Sequence, residues 1–356
     1  MPDASEFGRL YDSACALERG GFARGAALAT ITRTAGSTFR HAGASMLVHG
    51  DGTVVCELSG GCPQRDIVER AQRVIASGAA ELARYNRDSS FDVLLEMGCG
   101  GELEVLIEPL REPRDLGFLH ALAQLHAQRQ PGYVATAFAR AGEVLTRPQR
   151  QVGAAQALWD ELPSPQLSQR AAALASAQAA GAVVHPVEDG IELLVERVQA
   201  QQLLVLVGIN AVALALANLA ATLGWKSILV HNGNLRGTVE LPARATLLDA
   251  APQALAERLA SQARCAVVLM TFNLQQDLAY LEQLAPLPLE YLAAIGSRAR
   301  STRLHAAVAA SGARLLAPAG LDLGAEGPYE IALAIAAEIL ARQRERGAGS
   351  LSSHHA

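Results

Sequence analysis

From residue 203 to residue 295 the chain alternates short apolar runs with helical repeats, and this alternation constrains the fold more than any other feature. Residues 203–207, 227–231, 266–270 and 291–295 read as strands, while 212–223, 252–262 and 274–284 carry apolar residues at helical spacing. Strands separated by helices of this length pair in parallel and take helices on both faces. The expected fold of this half is a Rossmann-like, doubly wound parallel sheet, closed by a last helix over 329–342 that Pro328 opens. The N-terminal half has another rhythm. Strands are expected at 26–31 and 44–48, a hairpin turn at Asp51-Gly52 leads into 53–58, and a helix over 66–76 stops at Gly78. Two more strands, 91–96 and 103–107, flank a glycine cluster. Residues 114–202 hold a helical pattern at 116–127, a hairpin near 133–145, an Ala/Gln-rich stretch near 154–180 and a strand at 191–198. The fold class is α/β, with a mixed α/β N-terminal domain and its connecting segment over 1–198, a Rossmann-like domain over 199–345, and a disordered Gly/Ser/His-rich tail over 346–356.

With 356 residues, half of them hydrophobic and 18% charged, the chain can bury two cores and is unlike a disordered sequence. Thirty basic and 35 acidic residues give a net charge of −5 with no basic block, which excludes a nucleic-acid partner. Lys226 is the one lysine, and Gly224-Trp225-Lys226-Ser227 has the wrong order for a P-loop. The polar, acid-containing N-terminus lacks the pattern of an export signal, so a cytoplasmic location with no membrane association is expected. The five cysteines are scattered, as suits reduced thiols. No zinc-type spacing occurs among them. Cys15, Cys56 and Cys265 lie in helix or strand patterns and read as core.

Two glycine clusters carry most of the chemistry. Ser59-Gly60-Gly61-Cys62 lies between a strand and a helix, where backbone N–H groups and the positive end of the helix dipole face outward. A thiol at such a place is lowered in pKa and becomes a nucleophile or soft ligand, or else Cys62 is an inert small residue in a tight turn. Gly98-Cys99-Gly100-Gly101 lies between two expected strands, with more glycine than a plain hairpin requires. In the second half, the turn after the first strand reads Gly208-Ile209-Asn210-Ala211. It keeps one glycine of the dinucleotide fingerprint, and His231-Asn232-Gly233-Asn234 offers no carboxylate for ribose hydroxyls. NAD binding is therefore disfavoured. Asn210 is read as tolerating a left-handed turn, Arg298 or Arg300 as pairing with a phosphate or carboxylate from a loop at the sheet edge, and Asp322 as a cap or as support for the same edge.

Together these segments resemble the xanthine dehydrogenase accessory-factor family of XdhC/CoxI type. The resemblance rests on Gly36-Ser37-Thr38-Phe39-Arg40, Gly43-Ala44-Ser45-Met46-Leu47-Val48, the two glycine clusters and Leu106-Ile107-Glu108-Pro109. In the second half it rests on Gly296-Ser297-Arg298, Gly320-Leu321-Asp322-Leu323-Gly324 and Pro328-Tyr329-Glu330-Ile331-Ala332. It implies a maturation chaperone, not itself an enzyme, that binds molybdenum cofactor (molybdopterin or a dinucleotide form of it), supports its sulfuration with a cysteine desulfurase and inserts it into an apo molybdenum hydroxylase. It also implies a homodimer. Cys62 and Cys99 would be the cofactor-handling residues and candidate molybdenum ligands. Ser59, Gly60, Gly61, Gly100 and Gly101 would shape the loops, and Arg40 and Arg298 would be further cofactor-binding residues. The chain departs from the family at Gly208-Ile209-Asn210-Ala211, where Gly-Ala-Gly-His is usual, and at Thr271-Phe272, where Thr-His is usual. Two other classes stay open: a nucleotide-dependent enzyme, either an oxidoreductase or a molybdopterin nucleotidyltransferase, and a scaffold that docks partner proteins.

Overall fold

A computed structural model describes residues 4–86, 101–233, 240–309, 312–350 and 352. The chain divides into two compact units, Met1–Ala200 and Gln201–Ala356.

The first unit is built on two antiparallel five-stranded sheets. After helix α1 (Ala4–Arg19), the first sheet takes β1 (Ala26–Ala35), β2 (Ser45–His49), β3 (Val54–Val55), β4 (Glu81–Tyr85) and β5 (Glu102–Leu110) in the order β3-β2-β1-β5-β4. The second takes β6 (Gly132–Arg140), β7 (Glu143–Gly153), β8 (Ala157–Asp160), β9 (Ala182–Pro186) and β10 (Ile191–Val198) in the order β8-β7-β6-β10-β9. Alternation along the strands sorts their side chains into two faces. Ala27, Ala29, Ile31, Val105 and Ile107 pack under α2 (Gly61–Ser77), while Ala135, Ala137, Leu193 and Val195 pack under α4 (Pro165–Ala177). The opposite faces look toward each other, with α1 and α3 (Gly117–Gln128) in the same core as Leu28, Leu110, Val134 and Val152. This inner layer is partly polar. Glu108 of β5 is joined by both its oxygens to Arg150 of β7, one contact being 2.8 Å, and the Arg150 guanidinium lies 4.2 Å from the centre of the Phe118 ring. Beside them Thr30, Ser45, Thr136 and Glu196 line a small cavity of about 20 Å³, room for roughly one water.

In the second unit β11 (Leu203–Val207), β12 (Lys226–His231), β13 (Ala245–Asp249), β14 (Cys265–Leu269), β15 (Tyr291–Ala294) and β16 (Leu315–Leu316) form a wholly parallel sheet in the order β13-β12-β11-β14-β15-β16. Numbered within the unit this is 3-2-1-4-5-6, the Rossmann order, with its reversal between β11 and β14. Helices α5 (Ala211–Thr222) and α9 (Pro328–Gln343) cover one face; α6 (Pro252–Leu259), α7 (Leu274–Leu284) and α8 (Arg298–Val308) cover the other. Because both faces are covered, β11 and β14 are buried along their whole length, which is why they read as unbroken apolar runs.

Several expected boundaries are corrected. Helix α2 begins at Gly61 instead of Asp66, so half of the first glycine cluster belongs to its opening turn, where Pro63 loses no helical hydrogen bond. Strand β13 replaces an expected loop; it is an edge strand with most side chains half or fully exposed, so no apolar run announces it. Arg298 and Arg300 are on helix α8 instead of a loop, and Ser297 caps that helix by accepting from the Arg300 N–H. The last helix starts after Gly327, and Glu330 in its first turn reaches back to accept from the N–H groups of Glu326 and Gly327, which precede the helix. The segment 114–200, expected as the rest of the N-terminal domain together with a connection, holds the whole second sheet of the first unit. The strand expected at 91–96 lies outside the described residues.

Arg150 and Glu108 are each under a tenth exposed, so removing one strands the other's charge in the interior. Arg150→Ala is expected to destabilise the first unit by about 3–5 kcal/mol in denaturant titration, whereas the double replacement Arg150→Met/Glu108→Leu is expected to recover most of that loss.

Candidate functional site

Strand register brings the N-terminal motifs to one edge of the first sheet. Ala35 pairs with Glu102 and Tyr85 with Leu103, so the end of β1, the end of β4 and the start of β5 share that edge. Helix α2 begins there too, because the Tyr85 hydroxyl donates to Asp66 in its second turn at 2.7 Å. The Gly36–Arg40 loop, which continues from β1, and Gly101, which precedes β5, are therefore neighbours at this edge, and the second turn of α2 reaches it at Tyr85. Gly101 packs closely: a Cβ on it would lie 2.1 Å from the Ser37 carbonyl oxygen. Gly60 is the opposite case. It is the N-cap of α2, has no side chain to cap the first turn, and a Cβ built on it meets nothing within 4 Å. The backbone of Gly61 and Cys62 forms the first turn behind this opening. Ser59 is fixed by the Gln64 carboxamide, whose oxygen accepts from the Leu58 and Ser59 N–H groups. Gly98, Cys99 and Gly100 lie outside the described residues.

Two side chains of the Gly36–Arg40 loop are placed by the fold. Arg40, expected to bind cofactor, makes a two-pronged ion pair with Glu6 of α1, with one contact of 2.6 Å, and so ties the loop to the helix. The guanidinium in turn holds the Glu6 carboxyl below its ordinary pKa through that hydrogen bond. Phe39, between Thr38 and Arg40, is 71% exposed. Isolated from a sequence, it reads as one more apolar residue; its exposure is decided by the anchoring of its neighbours. Cys56 is buried with a left-handed backbone (φ 63°), and its thiol lies 3.6 Å from the Glu6 carbonyl oxygen, as fits a packed residue; Cys265 is buried, and Cys15 is half-buried.

Behind the edge, Glu104 gathers three donors: Thr32 at 2.8 Å, Arg84 at 2.8 Å and Arg33. Burial alone would raise this carboxyl, but the hydrogen bonds from Arg84, Thr32 and Arg33 outweigh it and hold the pKa below 4.5. Arg33 also reaches Glu192 of the second sheet at 3.3 Å.

The rim of the parallel sheet is a second candidate. Gly208 takes the left-handed turn there (φ 110°), and a Cβ on it would meet the Met270 carbonyl oxygen at 2.6 Å. Asn210 is extended (φ −158°), not left-handed, and caps α5: its oxygen accepts from the Val212 and Ala213 N–H groups at 3.0 and 3.1 Å, while its NH₂ donates to the Met270 carbonyl at 2.8 Å. One carboxamide thus uses the amides a pyrophosphate would need and crosses the β11/β14 reversal point. Arg300 pairs with Asp277 of α7, which is fully buried, so it is committed inside the protein; Arg298 is exposed at the start of α8. Asp249, missed in the sequence, arrives from the end of β13 to accept from the Gly233 N–H at 3.0 Å. Its register with His231 could be found only after β13 is placed. Among the described residues no group of three or more His, Cys, Asp or Glu side chains is arranged to hold a metal, and no helix is long and apolar enough to cross a membrane.

Two sandwiched sheets with glycine-built loops, followed by a Rossmann sheet with an altered first turn, define the class of protein. Residues 23–86 match the XdhC and CoxI family and residues 204–339 match the XdhC Rossmann domain. The chain belongs to the XdhC/CoxI family. It is 27% identical over 318 residues to a Bacillus subtilis (strain 168) protein named as a probable subunit of xanthine dehydrogenase, covering 88% of this chain and 92% of that one. It is 34% identical over 109 residues to the "Molybdenum cofactor insertion chaperone PaoD" of Escherichia coli (strain K12), covering 30% of this chain and 33% of that protein. A crystal structure from Bacillus halodurans described as a xanthine dehydrogenase shares the fold, with a TM-score of 0.74 at 22% identity over 98% of this chain and 99% of that one.

Gly101→Ala is expected to lower the melting temperature of the first unit because backbone must move, whereas Gly60→Ala is expected to change stability by under about 1 kcal/mol. Glu104→Gln tests the three-donor site by pH. A carboxyl with a lowered folded pKa contributes stability that is complete above its unfolded value near 4.5 and disappears as pH falls through the folded value. The stability gap between parent and variant, measured by urea titration, is thus expected to be full at pH 7 and to close below pH 4.5.

Proposed function

We propose that the protein is a maturation chaperone that carries molybdenum cofactor as cargo, supports its sulfuration with a cysteine desulfurase and passes it to an apo molybdenum hydroxylase. The observation that carries this reading is the shared edge of the first sheet, where the Gly36–Arg40 loop packs against Gly101, together with the glycine N-cap of α2, which gives the first turn no side-chain cap. The names of the two relatives support it, the B. subtilis protein being called a xanthine dehydrogenase component and the E. coli protein a molybdenum cofactor insertion chaperone.

The chemistry of the edge suits such a cargo. The first-turn N–H groups behind Gly60 are donors for a pterin phosphate, and the helix dipole adds to their attraction. Phe39 offers an exposed ring for the flat pterin. Cys62, second residue of α2, is the proposed soft ligand for molybdenum. Cys99 is its proposed partner. Arg40, held by Glu6, shapes the loop. The protein acts in the cytoplasm and as a homodimer in this reading. The Asn210 strap at the Rossmann turn speaks against an NAD-dependent oxidoreductase.

The test is the pterin and molybdenum content of protein purified without oxygen from cells that synthesise the cofactor, comparing the parent with Cys62→Ser/Cys99→Ser. Near-stoichiometric cofactor in the parent and at least a tenfold loss in the variant are expected. Equal loading of the two would remove the cysteines from the proposal, and no loading of either, where a known carrier loads, would favour a scaffold.

A further inference from the structure

Phe272 occupies a place that folding alone does not explain. It lies three residues beyond the end of β14, at the strand-order reversal, where open parallel sheets bind ligands. It is 67% exposed, and its backbone is left-handed (φ 57°), a conformation that a bulky aromatic residue rarely adopts. Burial of the ring therefore does not offset the strain. The residue before it is held firmly. Thr271 donates through its hydroxyl to Asp277 at 2.6 Å and through its N–H at 3.3 Å, and Asp277, fully buried, is closed off by Arg300. On the other side the turn at Gly208 backs onto Met270 and Thr271, with Asn210 bonded to the Met270 carbonyl. A rigid frame thus presents one aromatic face to solvent at the reversal point, while the amides that would receive a diphosphate are already used. Strain kept at an exposed residue by an over-determined frame is a mark of function.

We propose that Phe272 is a stacking platform for a planar heteroaromatic ring, a purine or a pterin, bound at the rim of the parallel sheet without the diphosphate cradle of a dinucleotide site. Arg298, exposed at the start of α8 after the adjacent strand β15, supplies a cation for a single phosphate on such a ligand. Stacking on an aromatic side chain accepts any flat base. Every residue of this site belongs to the second unit, so the Cys62→Ser/Cys99→Ser protein is expected to bind the same probes as the parent.

Calorimetric titration of the full chain with GMP, neopterin monophosphate and NAD tests the proposal. At least one monophosphate is expected to bind, with affinity reduced about tenfold in Phe272→Asn and retained in Phe272→Trp; the tighter of the two identifies the ring. NAD is expected to bind no more tightly than GMP. Since asparagine accepts a left-handed backbone more readily, Phe272→Asn is also expected to melt at the same temperature as the parent or higher. Binding unchanged in Phe272→Asn, NAD binding tenfold tighter than GMP, or no binding of either monophosphate would each overturn the proposal. In the last case, impaired maturation of a molybdenum hydroxylase by Phe272→Asn would assign the ring to a protein contact instead.

Discussion

The first unit depends on the buried pair of Arg150 and Glu108. Two antiparallel sheets, each covered by a helix on its outer face, turn toward each other faces that carry Thr30, Ser45, Thr136, Glu196 and Glu108 among the apolar residues. A layer with so much polar character cannot close by hydrophobic burial alone, because each buried polar group needs a partner. Arg150 reaches from β7 to Glu108 on β5 and packs against Phe118 of α3, so one side chain joins both sheets and a helix. Arg33 repeats the idea nearer the edge, with Glu104 on its own sheet and Glu192 on the other. These cross-sheet pairs fix the frame on which the glycine loops stand.

The loops use that frame in two ways. Gly101 is a glycine because backbone from the Gly36–Arg40 loop passes where a side chain would be, whereas Gly60 leaves the helix opening bare. One makes close packing and the other makes access. The parallel sheet shows a related division at its rim, where Gly208 permits contact with Met270 and Asn210 fills the turn with its own carboxamide. An anion-binding turn becomes a satisfied protein contact through one side chain, and the neighbouring Phe272 becomes the exposed feature.

Much of this is legible along the chain. The parallel sheet is readable because strands buried on both faces are continuous apolar runs, and most of the helices between them end near their expected boundaries. The edge strand β13 is not, since an edge needs little apolar character. The second antiparallel sheet is legible only in part, as a hairpin near 133–145 and a strand at 191–198, because its inward residues include Thr136, Arg150 and Glu196, which break the apolar alternation. In the site, the two glycine clusters and Cys62 stand out by composition and spacing. The roles of Arg40 and Arg300 do not, because an arginine's partner, Glu6 34 residues away or Asp277 23 residues away, is set by packing.

Local pattern by itself determined most strands and helices of the parallel sheet, where glycine clusters and that the dinucleotide fingerprint was broken. Those properties follow from side-chain periodicity and backbone sterics, which act over a few residues. Tertiary structure decided that the Gly36–Arg40 loop and Gly101 meet at one edge, that Asn210 straps the reversal point and that Phe272 stays in solvent. Strand register and the partnering of buried charges join residues distant along the chain, and their energies exist only once the sheets are assembled.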